Sequence, residues 1–230
     1  PNKMTQKSDL IIAVGMRFSD RVTGNTSKYA PNAKIIHIDI DKAEFNKNIR
    51  VDLPLCGDAR EILRKIIPNV EFRSREEWFS YIDQKWEKER RVIIDDLMKP
   101  GNGEGISMAR AVDCVARVAK GDAIVVTDVG QNQMLGARYS KFRKTRSFIT
   151  SGGLGTMGYG LPAAIGAKVG MPDKEVVLIL GDGGFQMSIQ ELGTILQSGI
   201  KVKILLLNNS YLGMVRQWQQ LFFDRRYSYT

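Results

Sequence analysis

The sequence is poor in the residues on which many active centres are built. Its 230 residues include two cysteines and one histidine. Cys56 and Cys114 lie far apart and lack metal-ligand spacing, so the expectation is two buried, reduced thiols. His37 alternates within an apolar strand and has no partner motif, which predicts a satisfied core or sheet-face histidine rather than a catalytic one. No apolar run is long enough to span a membrane, and the first residues show no signal-peptide pattern; a cytoplasmic protein is expected. A GxGxxG fingerprint is missing, which argues against a standard dinucleotide fold. Nucleic-acid-binding motifs are missing too. The residues behind the net charge of +9 are spread along the chain, densest in apparent linker or loop at 85–91 and 141–146.

What the chain does hold is concentrated between Val176 and Gln220. An apolar run, Val176 to Leu180, is too short for a typical helix and reads as a buried parallel strand. It stops at Gly181-Asp182-Gly183-Gly184. A helical pattern follows with Ile189, Leu192, Ile195 and Leu196 on one face, then a second strand, Val202 to Leu207, ending at Asn208-Asn209. One βαβ unit thus carries a carboxylate at the end of its first strand and a carboxamide at the end of its second. In open parallel sheets, ligands sit beyond those strand ends. Asp182 and Asn209 offer hard oxygen ligands suited to Mg²⁺ or Ca²⁺, and Mg²⁺ prefers to share its sphere with phosphate oxygens. The glycines let backbone amides approach an anion. The unit reads as a site for a diphosphate held through a divalent metal.

The remaining elements fit the same layer. Strands are predicted at Ser8 to Val14 and Lys34 to Ile40, and Pro54 to Asp58 leads into a helix of about ten residues from Ala59. This is part of a Rossmann-like layer. Two strands are too few for a stable sheet covered on both faces, so it begins in mid-pattern. A charged connector follows, with a helix from Glu76 to Met98 carrying Trp78, Ile82 and Trp86 one turn apart, broken by Lys99-Pro100-Gly101-Asn102-Gly103. Beyond it come a helix from Ser107, a possible N-cap, to Ala119, a strand Ala123 to Thr127, a helix Gln131 to Tyr139, a strand Arg146 to Thr150 and a helix Gly158 to Val169. Such alternation implies a doubly wound parallel sheet, α/β in class. Its switch point gathers strand ends near Asp128, Gly152 and Asp182. The expected organisation is part of a central domain at 1–68, a helical connector at 69–105, and a diphosphate-binding domain at 106–230.

GDG, some two dozen residues, then NN, in strand–turn–helix–strand order, resembles the thiamine-diphosphate motif. The continuation Tyr211-Leu212-Gly213-Met214-Val215-Arg216-Gln217-Trp218-Gln219 is similar to the acetolactate synthase family of that superfamily. So is the opening Gly15-Met16-Arg17-Phe18-Ser19-Asp20-Arg21-Val22-Thr23-Gly24 with HIDID and Gly57-Asp58. The resemblance covers nearly the whole chain. It implies decarboxylation of pyruvate and condensation of the two-carbon unit with pyruvate or 2-ketobutyrate, in branched-chain amino acid biosynthesis.

By that resemblance Mg²⁺ is held by Asp182, Asn209 and the carbonyl of Tyr211. Thiamine diphosphate is lined by Val129, Gly130, Gln131, Asn132, Gly155, Met157, Gly183, Gly184, Gly213, Met214 and Val215, with Met157 as the bulky residue under the thiazolium. FAD is lined by Gly15, Met16, Arg17 and Asp20, with Asp39, Ile40, Gly57 and Asp58 near its adenosine end. Arg21 matches the arginine that takes the second substrate's carboxylate, and Trp218 the tryptophan that favours 2-ketobutyrate. Asn132 departs from the family, which usually has histidine there; an amide hydrogen-bonds but does not titrate near neutrality.

The pyrimidine-binding domain and its activating glutamate have no counterpart here, so the expectation is a carboxyl-terminal part of a longer subunit. A homo-oligomer (dimer or tetramer) and a small regulatory subunit are implied as partners. The competing readings are another thiamine-diphosphate enzyme, such as a pyruvate oxidase or a 2-keto acid decarboxylase, and a non-catalytic fragment.

Overall fold

The computed structural model describes residues 2–100, 103 and 105–230. The chain divides into two compact units, Pro1–Lys88 and Glu89–Thr230. Of the predicted helix-breaking run, Gly101 and Asn102 lie outside the described residues, as does Glu104 of the connector.

The first unit opens with helix α1 (Asn2–Lys7) and strand β1 (Leu10–Val14). Helix α2 (Asp20–Thr23), strands β2 (Lys34–Asp39) and β3 (Leu53–Cys56), and helix α3 (Ala59–Ile66) follow. The sheet is parallel, in the order β1-β2-β3. It has three strands where the sequence suggested two. β3 contains Pro54, which reads as a strand breaker, yet it lies at a sheet edge where a missing N–H is tolerated. Asp58 accepts from the amides of Arg60 and Glu61 and so caps α3. The core gathers Ala13, Phe18, Tyr29, Ala30, Ile35, Ile49 and Val51.

His37 is fully buried, as expected of a core histidine, but it is not satisfied. Neither ring nitrogen has a hydrogen-bond partner among the described residues, and the nearest charge, Asp39 Oδ2, is 3.6 Å from Nε2. Its ring is instead held edge-on by Phe18 and Phe45 at centroid distances of 5.2 and 5.1 Å. The cysteines correct a second expectation, since both are exposed. Cys56 is the last residue of edge strand β3, and Cys114 lies on the outer side of a surface helix.

Helix α4 (Glu76–Met98) runs across the boundary between the units. Trp78 stacks on Tyr81 at 5.8 Å, whereas Trp86 is more than half exposed.

The second unit continues with α5 (Met108–Ala119), β4 (Ile124–Thr127), α6 (Gln131–Tyr139), β5 (Phe148–Ile149), α7 (Gly160–Gly170) and β6 (Val176–Gly181). After these come α8 (Asp182–Gln186), α9 (Glu191–Ser198), β7 (Lys203–Leu207) and α10 (Gly213–Phe222). Ser107 caps α5 by accepting from the Arg110 amide. The sheet is parallel throughout, in the order β5-β4-β6-β7. Alternate residues of its central strands feed two cores. Val125, Val177 and Ile179 pack with Val112 and Tyr139, from α5 and α6, together with Ile93 and Leu97 of α4. Ile124, Val126, Val176, Leu178 and Leu180 pack with Leu161 and Ala164 of α7. The doubly wound arrangement follows from this two-sided burial.

Two local readings change. β5 keeps two residues of the five predicted. The anticipated apolar face of Ile189, Leu192, Ile195 and Leu196 is largely exposed, and only Ile195 packs on the core.

Tyr139 links α6 to the end of α4. Its hydroxyl donates to Asp96 Oδ2, and beside it Arg138 pairs with Glu89 at 2.9 Å. Burial, followed by the hydrogen bond and charge of Asp96, pushes the Tyr139 phenol up to about 12. The same hydrogen bond holds Asp96 below the usual carboxylate range. A raised phenol pKa favours the protonated, folded form. That stabilisation is complete below the unfolded tyrosine value of about 10 and is lost as pH rises through about 12. Thermal denaturation should therefore show a decline in melting temperature across that window. Tyr139→Phe should flatten the decline and cost about 1 kcal/mol at neutral pH.

Candidate functional site

In the second unit the carboxyl ends of β4, β6 and β7 lie side by side, since Thr127 pairs with Ile179 and Gly181 with Leu207. Three loops leave from there. β4 is followed by Asp128, Val129 and Gly130, the last at φ 135°, before α6 opens with Gln131 and Asn132. β6 runs straight into α8, so the GDGG segment is a short helical turn rather than a plain loop. β7 ends in a double side-chain-to-backbone turn. Asn208 Oδ1 accepts from the Ser210 amide at 3.0 Å, and Asn209 Oδ1 from the Tyr211 amide at 3.2 Å. Ser210 takes a left-handed φ of 61° between them.

Side chains tie these loops together. Asn209 Nδ2 lies 3.4 Å from Gln131 Oε1. A Cβ on Gly213 would collide with the Gln131 carboxamide and lie 3.0 Å from Asn209 Nδ2, so the start of α10 sits directly on that pair. A Cβ on Gly183 would stand 2.7 Å from Leu212 and 3.8 Å from the Met157 methyl. Met157, the GDGG turn and the segment after Asn209 therefore converge. Asn132 is buried and donates to the Val129 carbonyl at 3.3 Å, while its Oδ1 has no partner among the described residues.

The glycine-dense segment is anchored from below. Thr127 Oγ and Gln133 Nε2 both donate to Thr150 Oγ at 2.8 Å, and Ser151 Oγ accepts from the Thr156 amide.

Two residues take roles that the sequence reading did not assign them. Asp128 is fully buried, and its carboxylate accepts from the amides of Val129, Gly158 and Gly160 at 2.8, 3.2 and 2.7 Å. Arg216 lies between the rings of Tyr211 and Tyr227, 4.7 and 4.3 Å from their centroids. The sequence signal for Asp128 was an acidic residue ending an apolar strand, but its glycine partners lie 30 and 32 positions away.

Trp218 is about half exposed and packs on Phe222 at 4.5 Å, on a helix whose Val215, Leu221 and Phe222 are also exposed. Met214 and Val215 lie beside it in the first turn of α10.

The first unit has a comparable strand-end cluster. The Gly15 amide donates to the Ile38 carbonyl and the Gly57 amide to the Asp39 carbonyl, both at 2.9 Å. Gly15, then Asp39 with Ile40, then Gly57 with Asp58 therefore sit at the carboxyl ends of β1, β2 and β3. Gly15, at φ 60°, faces open space. Arg17 is exposed, with its carbonyl accepting from Asn48; Arg21 is exposed, and its amide is held by Asp20.

Asp182, Asn209 and the Tyr211 carbonyl would offer oxygen atoms alone, the ligand type that Mg²⁺ takes. Among the described residues no three His, Cys, Asp or Glu side chains form a cluster able to hold a metal. No helix is long and apolar enough to cross a membrane. The unpartnered Asn132 oxygen is a buried acceptor left over for a ligand at these strand ends, while glycines 183, 184 and 213 make room for Leu212, Asp128 and Gln131.

Residues 128–230 match the C-terminal TPP-binding domain of thiamine pyrophosphate enzymes, and residues 1–66 match the central domain of the same enzymes. The acetolactate synthase isozyme 3 large subunit of Escherichia coli (strain K12) is 43% identical over 228 residues, covering 99% of this chain and 40% of that protein. The acetolactate synthase large subunit of Corynebacterium glutamicum is 46% identical over 230 residues, 98% of this chain and 36% of that protein. A probable acetolactate synthase large subunit of Methanococcus aeolicus is 46% identical over 239 residues, 98% and 39% respectively. The chain thus spans between 36% and 40% of the length of these relatives.

One helix offers a paired test of the site's packing. A Cβ on Gly160, the first residue of α7, would stand 2.9 Å from the Asp128 amide nitrogen and 3.0 Å from its carboxylate, whereas one on Gly166 meets nothing within 4 Å. Gly160→Ala should destabilise by about 1–3 kcal/mol through overpacking. Gly166→Ala should stabilise by about 0.5–1 kcal/mol through helix propensity. Urea denaturation of the two variants should give shifts of opposite sign.

Proposed function

The chain belongs to the thiamine-diphosphate enzymes, on the acetolactate synthase large-subunit branch, and from that premise we propose that it serves an acetolactate synthase. The reaction decarboxylates pyruvate and joins the two-carbon unit to pyruvate or 2-ketobutyrate. The observation that carries the reading is the convergence of Asp182, Asn209, Gln131 and Met157 with three glycine-bearing loops at one end of a parallel sheet.

Asp182, Asn209 and the Tyr211 carbonyl would hold Mg²⁺. Val129, Gly130, Gln131, Asn132, Gly155, Gly183, Gly184, Gly213, Met214 and Val215 would line thiamine diphosphate, with Met157 as its apolar support. Thiamine diphosphate, when bound, supplies the electron sink for decarboxylation. Gln131 and Asn209 orient one another, and Asn132 presents a hydrogen-bond acceptor where relatives of this family carry a titratable histidine. Arg21 would take the carboxylate of the second 2-keto acid, since a guanidinium pairs bidentately with a carboxylate. FAD would rest on Gly15, Met16, Arg17, Asp20, Asp39, Ile40, Gly57 and Asp58, supported by the open space at Gly15. A cytoplasmic homo-oligomer, dimer or tetramer, with a small regulatory subunit completes the proposal. The 230-residue chain alone should turn over no pyruvate, as it spans two fifths of its relatives.

Asp182→Ala should abolish Mg²⁺-dependent binding of thiamine diphosphate in the holoenzyme, read by titration calorimetry. Unchanged affinity would refute the metal assignment. Trp218 is exposed rather than buried in a core, which favours a substrate contact over packing. Trp218→Leu should reduce the preference for 2-ketobutyrate over pyruvate by about 10-fold, the scale of one methyl-sized group in an apolar pocket. A competition assay with both keto acids reads that ratio, and an unmoved ratio would reduce the tryptophan to packing.

A further inference from the structure

Among the described residues, Asp128 is the one acidic side chain of the second unit with no exposed surface. No lysine, arginine or histidine of the described residues pairs with it, and it joins no cluster able to hold a metal. Its charge is met by backbone alone. Oδ1 accepts from Val129 and Gly158, and Oδ2 from Gly160. Gly160 is the first residue of α7, so its N–H has no partner within that helix. Asp128 therefore caps α7 across a gap of 32 residues.

The fit is closed on two further sides. A Cβ on Gly184 would collide with the carboxylate, which places the turn after β6 against it, and a Cβ on Gly158 would stand 3.0 Å from that of Met187. One buried anion thus touches the loop after β4, the glycine-dense segment before α7 and the turn after β6.

We propose that Asp128 is a positioning residue, whose carboxylate fixes the relative placement of these three loops before the cofactor arrives. It touches no ligand itself and acts through the backbone of Val129, Gly158 and Gly184. The inference rests on the thiamine-diphosphate reading of this site. Replacement by asparagine preserves size but not chemistry. An amide oxygen at the Oδ1 position loses the Gly160 bond, and one at the Oδ2 position loses the other two. In either orientation an NH₂ group faces an N–H donor. At least one loop is released.

Asp128→Asn is to be made in the holoenzyme and thiamine diphosphate titrated at saturating Mg²⁺, with far-UV circular dichroism alongside. The expected result is a folded variant with cofactor affinity at least tenfold weaker. A folded variant that binds within twofold of the wild type overturns the proposal. If the variant does not fold, hydrogen exchange on the cofactor-free wild type decides. The Gly160 amide should be protected, as Asp128 is its hydrogen-bond acceptor, and free exchange there overturns the proposal. Wild-type protein that binds no thiamine diphosphate would sink the cofactor reading, and the exchange measurement would still judge Asp128.

Discussion

A carboxylate buried without a cation has to find its compensation in the backbone, and around Asp128 that requirement shapes the end of the second sheet. An isolated buried charge costs several kcal/mol unless hydrogen bonds surround it. The three amides that meet it come from two loops; glycine at 160 lets the second of these approach, and glycine at 184 lets the turn after β6 close on the carboxylate. The stability of the unit and the shape of its ligand surface are therefore the same problem. Removing the charge, or filling either glycine, disturbs both.

Much of this architecture was legible from residues next to one another in sequence. The runs at 176–180 and 203–207 are continuous and apolar because both faces of a parallel strand are buried, and the carboxylate and carboxamide closing them follow directly. Asn209 and Asp182 fall on neighbouring strand ends as their spacing implied. What escaped was information held at a distance. β3 was missed since Pro54 reads as a breaker until the strand is known to be an edge. The cysteines were placed inside on average behaviour, while their positions on an edge strand and an outward helix face put them at the surface. The role of Asp128 depends on glycines 30 and 32 residues away, which no local pattern ties to it.

Two buried polar side chains, Asp128 in the second unit and His37 in the first, are accommodated in opposite ways. In the second, every oxygen of Asp128 is satisfied by amides. In the first, His37 is enclosed by two aromatic edges with both nitrogens unpartnered among the described residues. T-shaped aromatic pairs of this kind add some stabilisation beyond the area they bury, which offsets part of the cost of the unpartnered nitrogens.

The paired turns at Asn208 and Asn209 also bear on how the protein ages. An asparagine followed by serine is a place where chains deamidate, through attack of the next residue's amide nitrogen on the side-chain carbonyl. Here the Ser210 amide is already committed to Asn208, and the Asn209 carboxamide is held at both ends, by the Tyr211 amide and by Gln131. Neither partner in the cyclisation is free to turn toward the other. The hydrogen bonds that present an oxygen at the strand end thus also guard it chemically, and they lengthen the time for which a carboxamide remains at that position instead of an aspartate or isoaspartate.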